Sequence, residues 1–146
     1  MDAARRVALP RDFVAAIRSA KGDVAVISEV KRRSPSKGDL CPGLDPAALA
    51  RQYQAGGAAC VSVLTDSEWF GGSDADLCAA REAVELPVLR KDFTVAERDI
   101  ADARIMGADC VLLIVAALDQ SELVDFHELA TDLGMSVLVE VHDEAE

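Results

Sequence analysis

Apolar and polar positions along the chain alternate between two kinds of segment. Phe13, Val14 and Ile17 recur at helical spacing and predict a short leading helix over 11–20. Val24, Val26 and Ile27 read as a buried run inside a strand over 24–31, followed by a long loop over 32–44. Asp45-Pro46 supplies an N-cap with proline at the first helical position, and the helix carrying Leu49 and Tyr53 stops at Gly56-Gly57. Cys60–Thr65 is a second strand, Asp66–Gly72 a loop, and Ser73 caps a helix running through Val84. Pro87–Lys91 is a third strand. Thr94 and Glu97 have capping-box spacing at the start of a helix ending at Gly107. Asp109–Val115 is continuously apolar after its first residue, as expected of a strand buried on both faces of a parallel sheet. Asp119 and Glu122 form another capping box, Leu123, Phe126, Ala130 and Leu133 line one helix face, and Gly134 ends it. Ser136–Val141 is the fifth strand.

Strands alternating with helices imply parallel pairing through right-handed crossovers, an α/β fold. A weak echo supports a repeated βα unit: Gly57-Ala-Ala-Cys-Val61 returns as Gly107-Ala-Asp-Cys-Val111, each at a helix-to-strand junction.

Composition narrows the class. At 146 residues with 51% hydrophobic and 4% aromatic content, the chain has enough apolar material for a packed core, and that core must be aliphatic. A net charge of -11 disfavours nucleic acid as a partner. Against that acidity the KRRSPSK segment, Lys31–Lys37, is a cationic island. No apolar run approaches the roughly 18 residues of a membrane span, and Arg11, Asp12 and Arg18 interrupt the start in a way no signal peptide does. Cys41, Cys60, Cys78 and Cys110 contain no CxxC pair and read as small buried or half-buried thiols of a reducing compartment, so a cytoplasmic protein is expected. No histidine pairs with a cysteine at ligand spacing, so no metal is expected, and neither GxGxxG nor GxxxxGK[ST] is present.

Charge collects where strands end. Glu29 and Lys31, two residues apart, point to one face at the end of the first strand. Lys91 and Asp92 end the third strand, and Glu140 lies near the end of the fifth. In parallel α/β folds the C-terminal strand ends build the active site, and amines and carboxylates gathered there can exchange protons with a substrate. Each residue also has a plainer reading: a structural Glu29–Lys31 ion pair, a solvated Lys91, a loop-edge Glu140, Trp69 and Phe70 as core, His127 on a solvated helix face and His142 in a loop.

ISEVKRRSPSKG, EWFGGS, PVLRKDF, GADCVLLIVAAL and GMSVLVEVHDE, in that order, resemble indole-3-glycerol phosphate synthase, a TIM (β/α)8-barrel family of tryptophan biosynthesis. The resemblance implies a 1–22 helical extension and a 23–146 partial barrel of strands 1 to 5. A full barrel takes about 250 residues, so strands six to eight and the family's phosphate grip fall outside an N-terminal portion of this length. It further implies a small anionic phosphorylated substrate, no cofactor, and ring closure with loss of CO2 and water. Carried over by motif, Lys91 is the general acid, Lys31 meets the substrate carboxylate, and Glu29 and Glu140 are active-site carboxylates. Ser34 lies near the substrate, and Phe70 and Phe93 resemble the residues holding its aromatic ring. The competing class is an inactive barrel fragment or interaction module that needs a complementing chain or self-associates through open sheet edges. A receiver-type signalling domain is excluded, because that fold needs acids after its first strand and an aspartate ending its third, where this chain has Lys31-Arg32-Arg33 and Lys91. Another phosphate-handling barrel enzyme is the remaining alternative.

Overall fold

Helices begin where a side chain satisfies their free N–H groups. In the computed structural model, which describes residues 1–144 and 146, Asp12 accepts from the Ala15 N–H at 2.8 Å and starts α1 (Phe13–Arg18). Asp45 accepts from Ala47 and Ala48 to start α2 (Pro46–Ala55). Between them lie β1 (Ile27–Val30) and a small antiparallel hairpin, β2 (Arg33–Ser34) with β3 (Gly38–Asp39), inside the segment expected to be plain loop. β4 (Cys60–Leu64) leads through a one-turn helix, α3 (Ser67–Phe70), into α4 (Asp74–Ala83), capped by Ser73 as expected. Then follow β5 (Val88–Lys91), α5 (Glu97–Met106), β6 (Cys110–Ile114), α6 (Gln120–Asp132) with its Asp119/Glu122 capping box, and β7 (Ser136–Glu140).

β1, β4, β5, β6 and β7 form one parallel sheet whose strand order follows chain order, as in the wall of a (β/α)8 barrel. Alternation along each strand splits the sheet into two faces. Val30, Val61, Val63, Val88, Val111 and Leu113 pack under the helices against Ala50, Leu77, Ala80, Ile100, Phe126 and Ala130. Cys60, Leu89, Cys110 and Leu112 lie on the opposite face, where α1 covers their N-terminal ends with Phe13, Ala16 and Ile17. Phe13 is 2% exposed, so truncating it to alanine would cost about 3–5 kcal/mol. The approach to α1 is fixed at the same end of the sheet by Asp109, which is fully buried. Its carboxylate accepts from the backbone N–H of Arg11 at 2.7 Å, the backbone N–H of Val88 at 2.8 Å and the Arg81 guanidinium at 3.1 Å.

Three expectations are corrected. Of the cysteines expected to be buried or half-buried, Cys41 is exposed, in the loop after the small hairpin. Val24, Val26 and Ile27 are not buried: they are 74%, 49% and 36% exposed, because the strand expected over 24–31 spans only Ile27–Val30, which leaves Val24 and Val26 ahead of it, and β1 has a neighbour on one side only. The start of α5 is not a Thr94/Glu97 box. Its N-cap is Ala96, and the Asp99 carboxylate accepts from the N–H groups of Val95 and Ala96 at 3.0 and 2.9 Å. Thr94 is buried instead.

Candidate active site

Lys91 is the last residue of β5 and alternates with Leu89, so it projects from the face away from the helices. In register it stands beside Leu64 of β4. Glu140, the last residue of β7, projects from the same face and stands beside Ile114 of β6. Although two strands apart, the side chains meet: Lys91 Nζ lies 3.4 Å from Glu140 Oε2, with the side chains 30% and 35% exposed. They border a cavity of about 130 Å³ floored by Leu64, Leu112 and Ile114 and walled by Phe70 and Phe93. Phe70 arrives on α3, whose N-cap Asp66 accepts from Trp69 N–H at 2.6 Å. Gly72 then passes so close to β4 that a Cβ there would sit 2.1 Å from the Leu64 carbonyl oxygen.

Glu29 and Lys31 share a face and form an ion pair with each other, about one third exposed. They border a second, larger cavity of about 420 Å³ between β1 and α2, together with Cys41, Leu44, Leu49 and Tyr53. Tyr53 donates its hydroxyl to the Glu29 carbonyl at 2.8 Å, and burial, then the Glu29 charge, raise its pKa. The structure therefore gathers Lys91, Glu140, Phe70 and Phe93 into one cavity and places Glu29 and Lys31 at another. Ser34 borders neither; its Oγ accepts from Lys37 N–H at 3.3 Å inside the hairpin.

Several contributors were not legible in the sequence as site components. Arg32 makes a bidentate contact with Asp76 of α4 and also donates to the Leu44 carbonyl at 3.0 Å, anchoring both ends of the loop that follows β1. The hydrogen bond to Asp76 raises the Arg32 pKa further. His142 stands beside the lysine's partner, its Nε2 4.0 Å from Glu140 Oε1, while its Nδ1 lies 3.3 Å from Glu146 Oε2. Thr65, Arg90 and Asp92 form a hydrogen-bonded cluster behind Lys91. Among the described residues no three His, Cys, Asp or Glu side chains gather in a way that would hold a metal ion. No helix among them is long and apolar enough to cross a membrane.

An ammonium beside a carboxylate, in a cleft with an aliphatic floor and two aromatic walls, suits an anionic substrate that carries a flat ring and takes up a proton. The class so defined is a parallel βα protein of the barrel type, with charged side chains gathered at its C-terminal strand ends. A family model of indole-3-glycerol phosphate synthase matches residues 1–146, and the chain belongs to that family. It is 57% identical over 142 residues to the indole-3-glycerol phosphate synthase of Aromatoleum aromaticum, covering 96% of this chain and 54% of that protein. The synthase of Laribacter hongkongensis is 55% identical over 93% of this chain and 52% of its own length. That of a Nocardioides species is 58% identical over 94% of this chain and 52% of its own length. The chain thus spans about half the length of the curated relatives it matches.

Proposed function

We propose that this chain carries the N-terminal half of an indole-3-glycerol phosphate synthase site. The reaction is ring closure, with decarboxylation and dehydration, of 1-(2-carboxyphenylamino)-1-deoxyribulose 5-phosphate. The observation that carries the reading is the Lys91–Glu140 pair at 3.4 Å inside a cavity walled by Phe70 and Phe93. Lys91 protonates the substrate's ketone oxygen as the ring carbon attacks and, after regaining a proton from solvent, protonates the hydroxyl that leaves as water. Glu140 holds the lysine directed into the cavity, and takes up the ring proton released on aromatisation. Phe70 and Phe93 hold the aromatic ring between them. Lys31 leaves Glu29 to bind the carboxylate that departs as CO2, and Glu29 balances the positive charge that develops on the ring nitrogen. Ser34 borders the substrate once the hairpin loop folds over it. The proposed organisation is a helical extension over 1–22 and barrel units over 23–146, in a cytoplasmic enzyme acting on a phosphorylated substrate.

A second reading rests on the two open edges. Val24, Val26 and Ile27 on one side and Leu138, Val139 and Val141 on the other are exposed apolar residues on or beside strands paired along one edge only. Such edges associate with another chain, here a second copy or a complementing half. Indole fluorescence assays of the chain alone, and of the chain mixed with the C-terminal half of a full-length relative, separate the readings. Turnover in either sample that Lys91→Ala abolishes supports the synthase site. A folded, complemented but inactive assembly supports the interaction module.

A further inference from the structure

We propose that Asp92, clamped by Thr65 and Arg90, is a positioning residue that sets the direction of Lys91; the inference rests on the reading of Lys91 as the proton donor. Arg90 and Asp92 flank Lys91: Arg90 turns by strand alternation to the face opposite the lysine, while Asp92, just past the end of β5, borders the Lys91 cavity and reaches across to Arg90 and Thr65. Asp92 Oδ2 accepts from the Thr65 hydroxyl at 2.5 Å and from Arg90 Nη2 at 3.0 Å. Arg90 Nε donates to the Thr65 Oγ1 at 3.3 Å, so one hydroxyl serves as donor to the acid and acceptor from the base. Arg90 Nη1 donates to the Asp99 carbonyl in the first turn of α5 at 3.2 Å, and Asp92 Oδ1 accepts from the Phe93 N–H at 2.8 Å. The Thr65 N–H also donates to the Lys91 carbonyl at 3.4 Å.

Three elements therefore converge on the peptide units on either side of one lysine: the end of β4, the end of β5 and the start of α5. The Arg90 and Asp92 side chains are only 11% and 13% exposed. A pair so far removed from water gains little net stability, because desolvation offsets its attraction. What it does fix is geometry. With both neighbours of Lys91 bonded to each other and to Thr65, the backbone at the lysine is restrained and Lys91 Nζ is directed over the cavity. The same carboxylate holds the Phe93 amide, and so ties one aromatic wall to the lysine.

The test is a double-mutant cycle in the chain closed by the C-terminal half of a full-length relative. Asp92→Ala is expected to lower kcat by about tenfold or more with a much smaller change in KM, and to have no further effect once Lys91 is alanine. Thr65→Ser, which keeps the hydroxyl, recovers most of what Thr65→Val loses. An unchanged kcat in Asp92→Ala, or a loss of equal factor with and without Lys91, overturns the proposal, because a merely structural residue multiplies rather than merges with Lys91. If Lys91→Ala itself retains full turnover, the acid role of Lys91 fails and the positioning role with it. The clamp's geometry is checked separately by amide hydrogen exchange on the 146-residue chain. The Phe93 N–H is expected to exchange about tenfold faster in Thr65→Val than in the parent; equal rates overturn the clamp whatever the assay shows.

Discussion

Lys91 and Glu140 end strands that are not neighbours, yet their side chains meet 3.4 Å apart over a floor of Leu64, Leu112 and Ile114. The intervening strand β6 offers only apolar side chains on that face, so nothing polar competes for either charge there. Among the described residues Glu140 is the carboxylate that pairs with the ammonium, which also borders the cavity.

Replacing Lys91 with alanine should lower turnover of the closed barrel by about two to four orders of magnitude, the range for loss of a general acid. Glu140→Gln keeps the shape and removes the charge that directs the lysine, and should lower kcat more than it raises KM. Steady-state kinetics of both variants, with circular dichroism to show an intact fold, checks this.

Arg32 and Asp76 tie the loop after β1 to α4, with side chains 22% and 11% exposed. Removing one partner strands the other in a poorly hydrated place, and Asp76→Ala should cost about 3 kcal/mol of stability. Asp76→Asn, which still accepts hydrogen bonds from the guanidinium, should cost less. Urea unfolding midpoints measure both.

Gly72→Ala should displace the loop that carries Phe70, since its Cβ would overlap the Leu64 carbonyl at 2.1 Å and the obstruction is backbone. An overpacking cost of about 1–3 kcal/mol is expected. Trp69, three residues away and the chain's single tryptophan, reports the displacement by a shift in its emission.

Burial pushes the Cys60 thiol up to about 11 and the Cys110 thiol up to about 12, from an ordinary value of 9.0. Above pH 9.0 the unfolded chain loses these protons before the folded one does. The contribution of the neutral thiols is therefore fully present below pH 9.0 and is lost as pH climbs toward 11 and 12. Denaturation midpoints should fall over that window, and less steeply in a Cys60→Ala, Cys110→Ala double variant. At neutral pH a thiol reagent should label the exposed Cys41 at once and reach Cys60 and Cys110 only on unfolding.

Short-range signals in the sequence translated well into structure. Asp45-Pro46, Ser73 and the Asp119/Glu122 box each act within one helical turn, and each helix starts where they place it. The α5 start departs from the sequence pattern because Asp99, rather than Glu97, reaches back to the free N–H groups: Thr94/Glu97 and Ala96/Asp99 share one spacing and are displaced by two positions. Val24 and Val26 are exposed because pairing with β4 begins only at Ile27, and where a pairing begins is set by the partner strand, which no local pattern records. The site divides the same way. Strand-end position marked Lys91, Glu140, Glu29 and Lys31, while the meeting of Lys91 with Glu140 bridges a separation of 49 residues and that of Arg32 with Asp76 one of 44. Asp92 was visible as a charge after Lys91, but its bond to Thr65 rests on the pairing of β4 with β5.

The most direct measurement is indole formation, followed by fluorescence, by this chain combined with the C-terminal half of a full-length relative, in parent and Lys91→Ala forms. The account predicts turnover in the parent and a loss of about a hundredfold or more in the variant. Turnover equal in both forms, or none in a folded and complemented parent, would contradict it.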